Sequence, residues 1–546
     1  MKKIPIGVED FKEIIEKNYM YIDKTKFIEE VINEGAKVNL FARPRRFGKT
    51  LNMSMLKYFF NIENAEENKK LFKGLYVESS PVIEKQGKYP VISISFKGIS
   101  GTSWEEAIKE LKNKIARLYN QYADLFEKLN RFEAIKFEKI ALNQNVEEAD
   151  IKDSLLFLTD ILAKYYNQKV IVLIDEYDSP LITAYEYGYY NQAIGFFKSL
   201  YGNVLKTNSS LEMGIMTGII RVVRAGIFSD LNNLKVNTIL NDSYDDSFGL
   251  LQNEVEKILN DYGMEYNINE VKDWYNGYKF GNINVYNPWS IINYISNKKL
   301  GAYWIDTSEN YLIKDILKLA DVETFNKLNA LLIGKKIIED ITGKSNLKEI
   351  LDIHDIWELL LFSGYLTIET QKDINTYLIK IPNNEVRTFF RDSFIEVVFG
   401  GKTSLNRLIK NLLDNQIEEF EKNLQNIMIK HMSFNDTSAL EKVYHCFILG
   451  LMINLDGKYH ITSNGESGFG RYDIAIEPLN KNLRGFILEF KVADNEENLE
   501  TKSEEAIQQI KDKKYYIELE KREIKNISIL GIAFYKKLVK IKSENI

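Results

Sequence analysis

Apolar and polar positions follow two rhythms along the first half of the chain. From Tyr21, "YIDKTKFIEEVINEG" spaces its apolar residues as a helix does, and Gly35 suits a C-terminal cap before the apolar run "KVNLFARP". After a short basic segment, "KTLNMSMLKYFFN" places Leu51, Met55, Tyr58 and Phe59 at helical spacing, so Gly48 to Thr50 stand at a helix N-terminus. Three more apolar runs follow: "YPVISISFKG" from Tyr89, "KVIVLIDEYD" from Lys169 and "LEMGIMTGII" from Leu211. Long helical text separates the first two. Strands alternating with helices predict a parallel α/β sheet.

Beyond about Leu240 the text becomes mainly helical, with aromatic clusters at "WYNGYKFGNINVYNPWS" and "YWIDTSENYL". Asp355 to Phe394 reads as helix, strand, turn, strand, helix. A winged helix has that order, and so does any small α+β packing unit. From about Ile417 a helical region leads to "YHITSNGESGFGRYDIAIEP" and "RGFILEFKV", strand-like runs joined by "LNKN". A helix, "ETKSEEAIQQIKDKKYYIELE", and the strand-like "ISILGIAFY" complete a second α/β unit.

Composition narrows the class without choosing the chemistry. The 546 residues are 45% hydrophobic and 27% charged, ordinary values for a folded multidomain protein. A net charge of -6 gives no global attraction for nucleic acid, so such contact needs a local basic patch. The single Cys446 forms no intramolecular disulfide, and no Cys/His cluster has zinc-ligand spacing; His445 and His460 read as packing or surface residues. The N-terminus turns charged at once, and no run approaches the ~20 apolar residues of a membrane span. The expectation is a cytoplasmic protein with no membrane partner.

"RPRRFGKT", Arg43 to Thr50, ends as a phosphate-binding loop does but has Arg43 in place of the first glycine. In such a loop, backbone N–H groups and the helix start surround phosphate. Lys49 then reaches the β/γ-phosphates and the Thr50 hydroxyl binds Mg2+. A second element supports it: "VIVLIDEYD" is an uninterrupted apolar strand ending in Asp175 and Glu176. Asp175 would hold the Mg2+ water shell, and Glu176 would polarise the attacking water. In the run that follows, Thr217 is placed to sense the γ-phosphate and Arg221 to offset developing charge, with Arg224 a weaker candidate.

Together "YIDKT", "RPRRFGKT", "LIDEYD", "TGIIR", "YNPWS", "SGYLT" and "IPNNEV" resemble the AAA-ATPase-like proteins of bacteria and archaea that carry a C-terminal PD-(D/E)XK nuclease-superfamily domain. The resemblance covers nearly the whole chain and includes the arginine-for-glycine loop. The physical expectation is that Pro44 pre-sets φ while the guanidiniums of Arg43 and Arg46 compensate for lost phosphate contacts.

In "GFILEFKV" a period of two sets Glu489 and Lys491 on one face and Phe486, Leu488 and Phe490 on the other, and Asp473 lies on a neighbouring strand. Two carboxylates on adjacent strands can bind a hard cation, and the lysine can act on a water. The resemblance adds Glu441 as a further acidic metal ligand, and matches Gln509 and Tyr515 to the Q and Y positions of the helix that follows E-x-K.

The predicted architecture is a P-loop NTPase parallel sheet flanked by helices (1–240), a helical region with a candidate winged helix (241–400) and a PD-(D/E)XK-like α/β domain (401–546). The predicted cofactors are ATP and Mg2+, with Mn2+ an alternative in the second site. The predicted partner is nucleic acid, DNA favoured, and homo-oligomerisation is left open. Two functions compete: an ATPase governing phosphodiester cleavage, and a nucleotide-dependent regulatory protein whose C-terminal domain does not cut.

Overall fold

In the computed structural model, five parallel strands occupy the region where the apolar runs alternate with helices. They are β1 (Val38–Ala42), β2 (Val91–Ser95), β3 (Val170–Asp175), β4 (Leu211–Gly218) and β5 (Leu234–Asn237), in the order β2-β3-β4-β1-β5. The structure describes residues 1–219, 232–304, 317, 321–342, 356–431, 447, 450–451, 455 and 457–546. β1 and β3 are buried along their whole length, as their unbroken apolar text requires of central parallel strands. The helices Lys49–Phe60, Glu148–Tyr166 and Tyr190–Leu205 pack on this sheet. The predicted helix before β1 runs Lys26–Glu34 and ends on Gly35 at φ 68°.

The chain divides into two compact units, one of 1–308 with 338–386, the other of 309–337 with 387–546. The first also holds a hairpin of β6 (Tyr278–Phe280) and β7 (Ile283–Val285). The aromatic text there gave no strand signal, because three-residue strands are too short to establish a period. In the mixed region, β8 (Ile337–Asp340), β9 (Thr367–Gln371) and β10 (Thr376–Lys380) form a sheet ordered β8-β10-β9. The helices Ile356–Phe362 and Asn384–Phe399 bracket β9 and β10 in the chain, giving the expected order; Asp355 lies outside the described residues.

The second unit is built on β11 (Tyr459–Ser463), β14 (Ile474–Pro478), β15 (Gly485–Val492), β16 (Ile527–Tyr535) and β17 (Leu538–Asn545), in that order. Only the β15–β16 pair is parallel. A small hairpin, β12 (Glu466–Ser467) with β13 (Gly470–Arg471), interrupts the run read as one strand. The helix expected from Glu500 divides into Leu499–Lys513 and Ile517–Lys521, because Lys514 adopts φ 50° and turns the chain. The longer piece packs on β15, β16 and β17.

Candidate nucleotide and metal sites

The turn after β1 begins the first site. Gly48, at φ 83°, is the N-cap of the helix Lys49–Phe60 and makes no side-chain cap bond. The N–H groups of the first turn have no intrahelical acceptor, which suits an anion at that end. Arg46 takes a second left-handed position at φ 65°. Lys49 is only 7% exposed, and its Nζ donates to the carbonyls of Arg43 at 2.9 Å and Pro44 at 2.8 Å. The ammonium thus sits over the loop's own backbone, and burial lowers its pKa to about 8.

Three elements meet beside it. Thr50 Oγ1 donates to Asp175 Oδ2 at 2.8 Å, and the Thr217 hydroxyl donates to Asp175 Oδ1. Thr217 in turn accepts from the Glu176 N–H at 3.4 Å. Glu176 holds φ 52°, a left-handed conformation that costs a non-glycine residue roughly 1–3 kcal/mol. Tyr177 N–H on the Thr217 carbonyl, 3.0 Å, and Ser179 N–H on the Glu176 carbonyl, 3.2 Å, hold that turn. Burial, and then the charge of Asp175, raise the Glu176 pKa. Thr50, Asp175, Glu176 and Thr217 therefore form one hydrogen-bonded chain, while Arg221 and Arg224 lie outside the described residues.

Arg43 departs from its expected place. Its side chain is 0% exposed and turned into the core, where Nη1 donates to the carbonyls of Ala42 at 3.0 Å and Asn237 at 2.9 Å. Nη2 donates to the Tyr244 carbonyl at 3.3 Å, and the guanidinium lies 5.1 Å from the Phe248 ring and 5.4 Å from that of Phe280. Burial lowers its pKa to about 9. The expectation that this guanidinium binds phosphate is corrected: it fastens the end of β1 to β5 and the segment beyond. A glycine would supply flexibility there but no anchor.

The rest of the loop is held by the motifs that carried no assigned chemistry. Phe47 packs on Tyr278 at 4.9 Å and Phe280 at 5.1 Å between ring centroids. Arg46, the other expected phosphate ligand, stacks 4.1 Å over Trp289 of "YNPWS". Gly364 of "SGYLT" approaches Pro44 so closely that a Cβ would stand 2.9 Å from the Pro44 Cβ. Glu385 of "IPNNEV" is fully buried and accepts from the N–H groups of Tyr303 and Trp304, at 2.6 and 2.7 Å, and from Ser290 Oγ at 2.8 Å. Sequence reasoning gave Trp289 and Glu385 no role. The aromatic density around them was the available signal, but it does not say that Trp289 lies under Arg46 or that Glu385 ties Ser290 to Tyr303 and Trp304.

The second site lies on β15 and the approach to β14. One step beyond the paired residues Ile474 and Leu488, Asp473 comes opposite Glu489, and Asp473 Oδ2 accepts from the Phe490 N–H at 2.8 Å. Lys491 Nζ stands 3.7 Å from Glu489 Oε1. Gln509 joins them, donating to Glu489 Oε1 and accepting from Lys491 Nζ, and its amide also lies 3.1 Å from the Tyr515 hydroxyl. Burial, and then the Asp473 charge, push the Glu489 pKa up to about 7; burial also raises that of Asp473. Glu441 lies outside the described residues, among which no cluster of three or more His, Cys, Asp or Glu side chains could hold a metal ion.

Both sites fit the groups expected of them. An uncapped helix start with a buried lysine suits phosphate, and the oxygens of Thr50 and Asp175 suit a hard cation such as Mg2+. In the second site Glu489 is 5% exposed, and its Oε2 has no hydrogen-bond partner among the described residues. A buried carboxylate oxygen left so is costly in the ionised form unless a cation meets it.

Two regions of the chain match families of known proteins. Residues 5–228 match a family described as predicted AAA-ATPase, and residues 439–544 match the PD-(D/E)XK nuclease superfamily. The chain joins an AAA-ATPase-like region to a PD-(D/E)XK nuclease-superfamily domain. A protein of Azotobacter chroococcum mcd 1, described as an uncharacterized protein in the vnfD 5' region, is 25% identical over 556 residues, covering 98% of this chain and 96% of the relative. Among solved structures, the Aeropyrum pernix ORC2 protein in ADPNP–ADP complexes is similar over 70% of this chain and 98% of its own, at 11% identity and a TM-score of 0.25. No helix among the described residues is long and apolar enough to cross a membrane.

Proposed function

We propose that the protein binds and hydrolyses ATP with Mg2+ at the first site, and that its nucleotide state governs phosphodiester cleavage of nucleic acid, DNA favoured, at the second. The observation that carries this is the chain Thr50–Asp175–Thr217–Glu176 at the ends of parallel strands, beside the helix start that bears Lys49. When bound, ATP would supply the phosphoryl group and Mg2+ would offset its charge. Lys49 would exchange the carbonyls of Arg43 and Pro44 for phosphate oxygens, and Thr50 and Asp175 would hold the cation. Glu176, its pKa raised by burial, orients water and takes its proton. Thr217 fixes both acidic residues, and Arg46 is retained as a phosphate ligand.

At the second site Asp473 and Glu489 would hold Mg2+ or Mn2+, which when bound would supply charge to polarise a phosphodiester and to lower the pKa of water. Lys491 orients the attacking water, and Gln509 sets the separation between amine and carboxylate. The test is incubation of pure protein with single- and double-stranded DNA and RNA, with and without metal and ATP. Metal-dependent cleavage whose rate changes in Lys49→Ala is expected. Metal-independent or absent cleavage leaves the rival account, a nucleotide-dependent interaction protein.

A further inference from the structure

Close in the chain to the second site, an aromatic side chain is exposed on a short hairpin that packs on the neighbouring helix end. Phe469, 73% exposed, lies between β12 and β13, two residues before Arg471 and four before Asp473. An exposed phenyl ring adds nothing to the core, although the backbone that carries it is fixed by close contacts.

That placement is built from backbone contacts. The Phe469 N–H donates to the Lys513 carbonyl at 2.8 Å. Gly468, at φ 59°, presses so closely on the end of the helix Leu499–Lys513 that a Cβ would meet the Lys513 carbonyl oxygen at 2.1 Å. A Cβ on Gly470 would stand 3.2 Å from the ring of Tyr515, the residue whose hydroxyl touches Gln509. The hairpin is thus continuous with the network around Glu489 and Lys491. Arg471, Lys513 and Lys514 are exposed around it, against the exposed carboxylates Glu466 and Asp512.

We infer that Phe469 is a base-stacking residue, which holds an unpaired nucleotide of single-stranded DNA beside the second site while Arg471, Lys513 and Lys514 meet its phosphates. This rests on the nuclease reading and names the form of its substrate. A planar apolar ring flanked by cations matches the alternation of base and phosphate in a single strand, whereas a duplex keeps its base faces stacked. Stacking on one aromatic residue is sequence-tolerant, so little base preference is expected.

The test is binding of fluorescein-labelled oligo(dT), oligo(rU) and duplex DNA to the full chain, with Ca2+ in place of Mg2+, read by fluorescence anisotropy. Phe469→Ala should weaken oligo(dT) binding about 5- to 100-fold, the effect of losing one base–aromatic stack, and leave duplex binding within about twofold. Phe469→Trp should bind oligo(dT) at least as well as the wild type, and both variants should hydrolyse ATP at the wild-type rate. Unchanged oligo(dT) affinity in Phe469→Ala, an equal loss on duplex DNA, or a loss confined to oligo(rU) would overturn the inference. Failure of the wild type to bind any of the three would instead refute the nuclease reading and this inference with it.

Discussion

Arg43 Nη1 donates to the Asn237 carbonyl at 2.9 Å, so the residue standing where a phosphate loop usually has glycine joins β1 to β5 from within the core. Removing it strands buried carbonyls and opens a cavity between Phe248 and Phe280. Arg43→Ala and Arg43→Gly should each lose about 3–5 kcal/mol of stability, read as a lowered denaturation midpoint of the first unit. Nucleotide affinity should fall in both through loss of loop order. An Arg43→Gly variant as stable as the wild type would contradict the anchoring role.

Holding phosphate and activating water should separate by mutation. Lys49→Ala should reduce nucleotide affinity roughly tenfold or more and abolish hydrolysis. Glu176→Gln keeps the shape but loses the base, so turnover should fall about 10²- to 10⁴-fold with binding nearly intact. Titration with a fluorescent ATP analogue, alongside phosphate release, reads both. Unimpaired turnover in Glu176→Gln would remove that residue from the reaction.

Thr217 touches both acidic residues, so its hydroxyl should matter to rate more than to binding. Thr217→Val should lower kcat about tenfold or more with little change in KM, because a buried carboxylate oxygen of Asp175 loses its donor. Thr217→Ser should restore most of the rate. Equal kinetics in Thr217→Val and wild type would leave the hydroxyl without a catalytic part.

Much of this site was legible because its signals are local. The unbroken apolar run of β3 and the acidic pair at its end are contiguous, as are Gly48, Lys49 and Thr50. Asp473, Glu489 and Lys491 were legible through strand alternation, and Gln509 and Tyr515 through the resemblance. What stayed hidden is non-local. Nothing in "LKVN" marks β5 as an edge strand beside β1, and nothing near Arg43 says that Asn237, Tyr244 and Phe280 enclose it. β17 was missed because "LVKIKSEN" is polar at every other position or more, as befits a strand with one covered face.

Glu489 gives a pH signature with a definite sign. Its carboxyl has a pKa of about 7 when folded, above its ordinary value of 4.5, so the folded state binds the extra proton. Without metal, stability should therefore fall as pH rises from about 4.5 to about 7, at a total cost on the order of 2–3 kcal/mol. Glu489→Gln should be more stable than wild type at pH 8, and the difference should vanish at low pH. Mn2+ affinity should rise with pH up to about 7 as that proton is displaced. Urea unfolding and calorimetry at several pH values check both; a pH-independent difference would point to packing instead.

Metal-dependent cleavage of a labelled oligonucleotide, followed alongside metal binding in the wild type and in Asp473→Ala, Glu489→Ala and Lys491→Ala, decides whether the second site is a nuclease. The wild type should cut with Mg2+ or Mn2+. The two carboxylate variants should lose both metal binding and cleavage. Lys491→Ala should keep metal and nucleic-acid binding but cut about 10²-fold more slowly or worse. A wild type that cuts no nucleic acid with either metal and ATP present, or a Lys491→Ala variant that cuts at the wild-type rate, would contradict the nuclease reading.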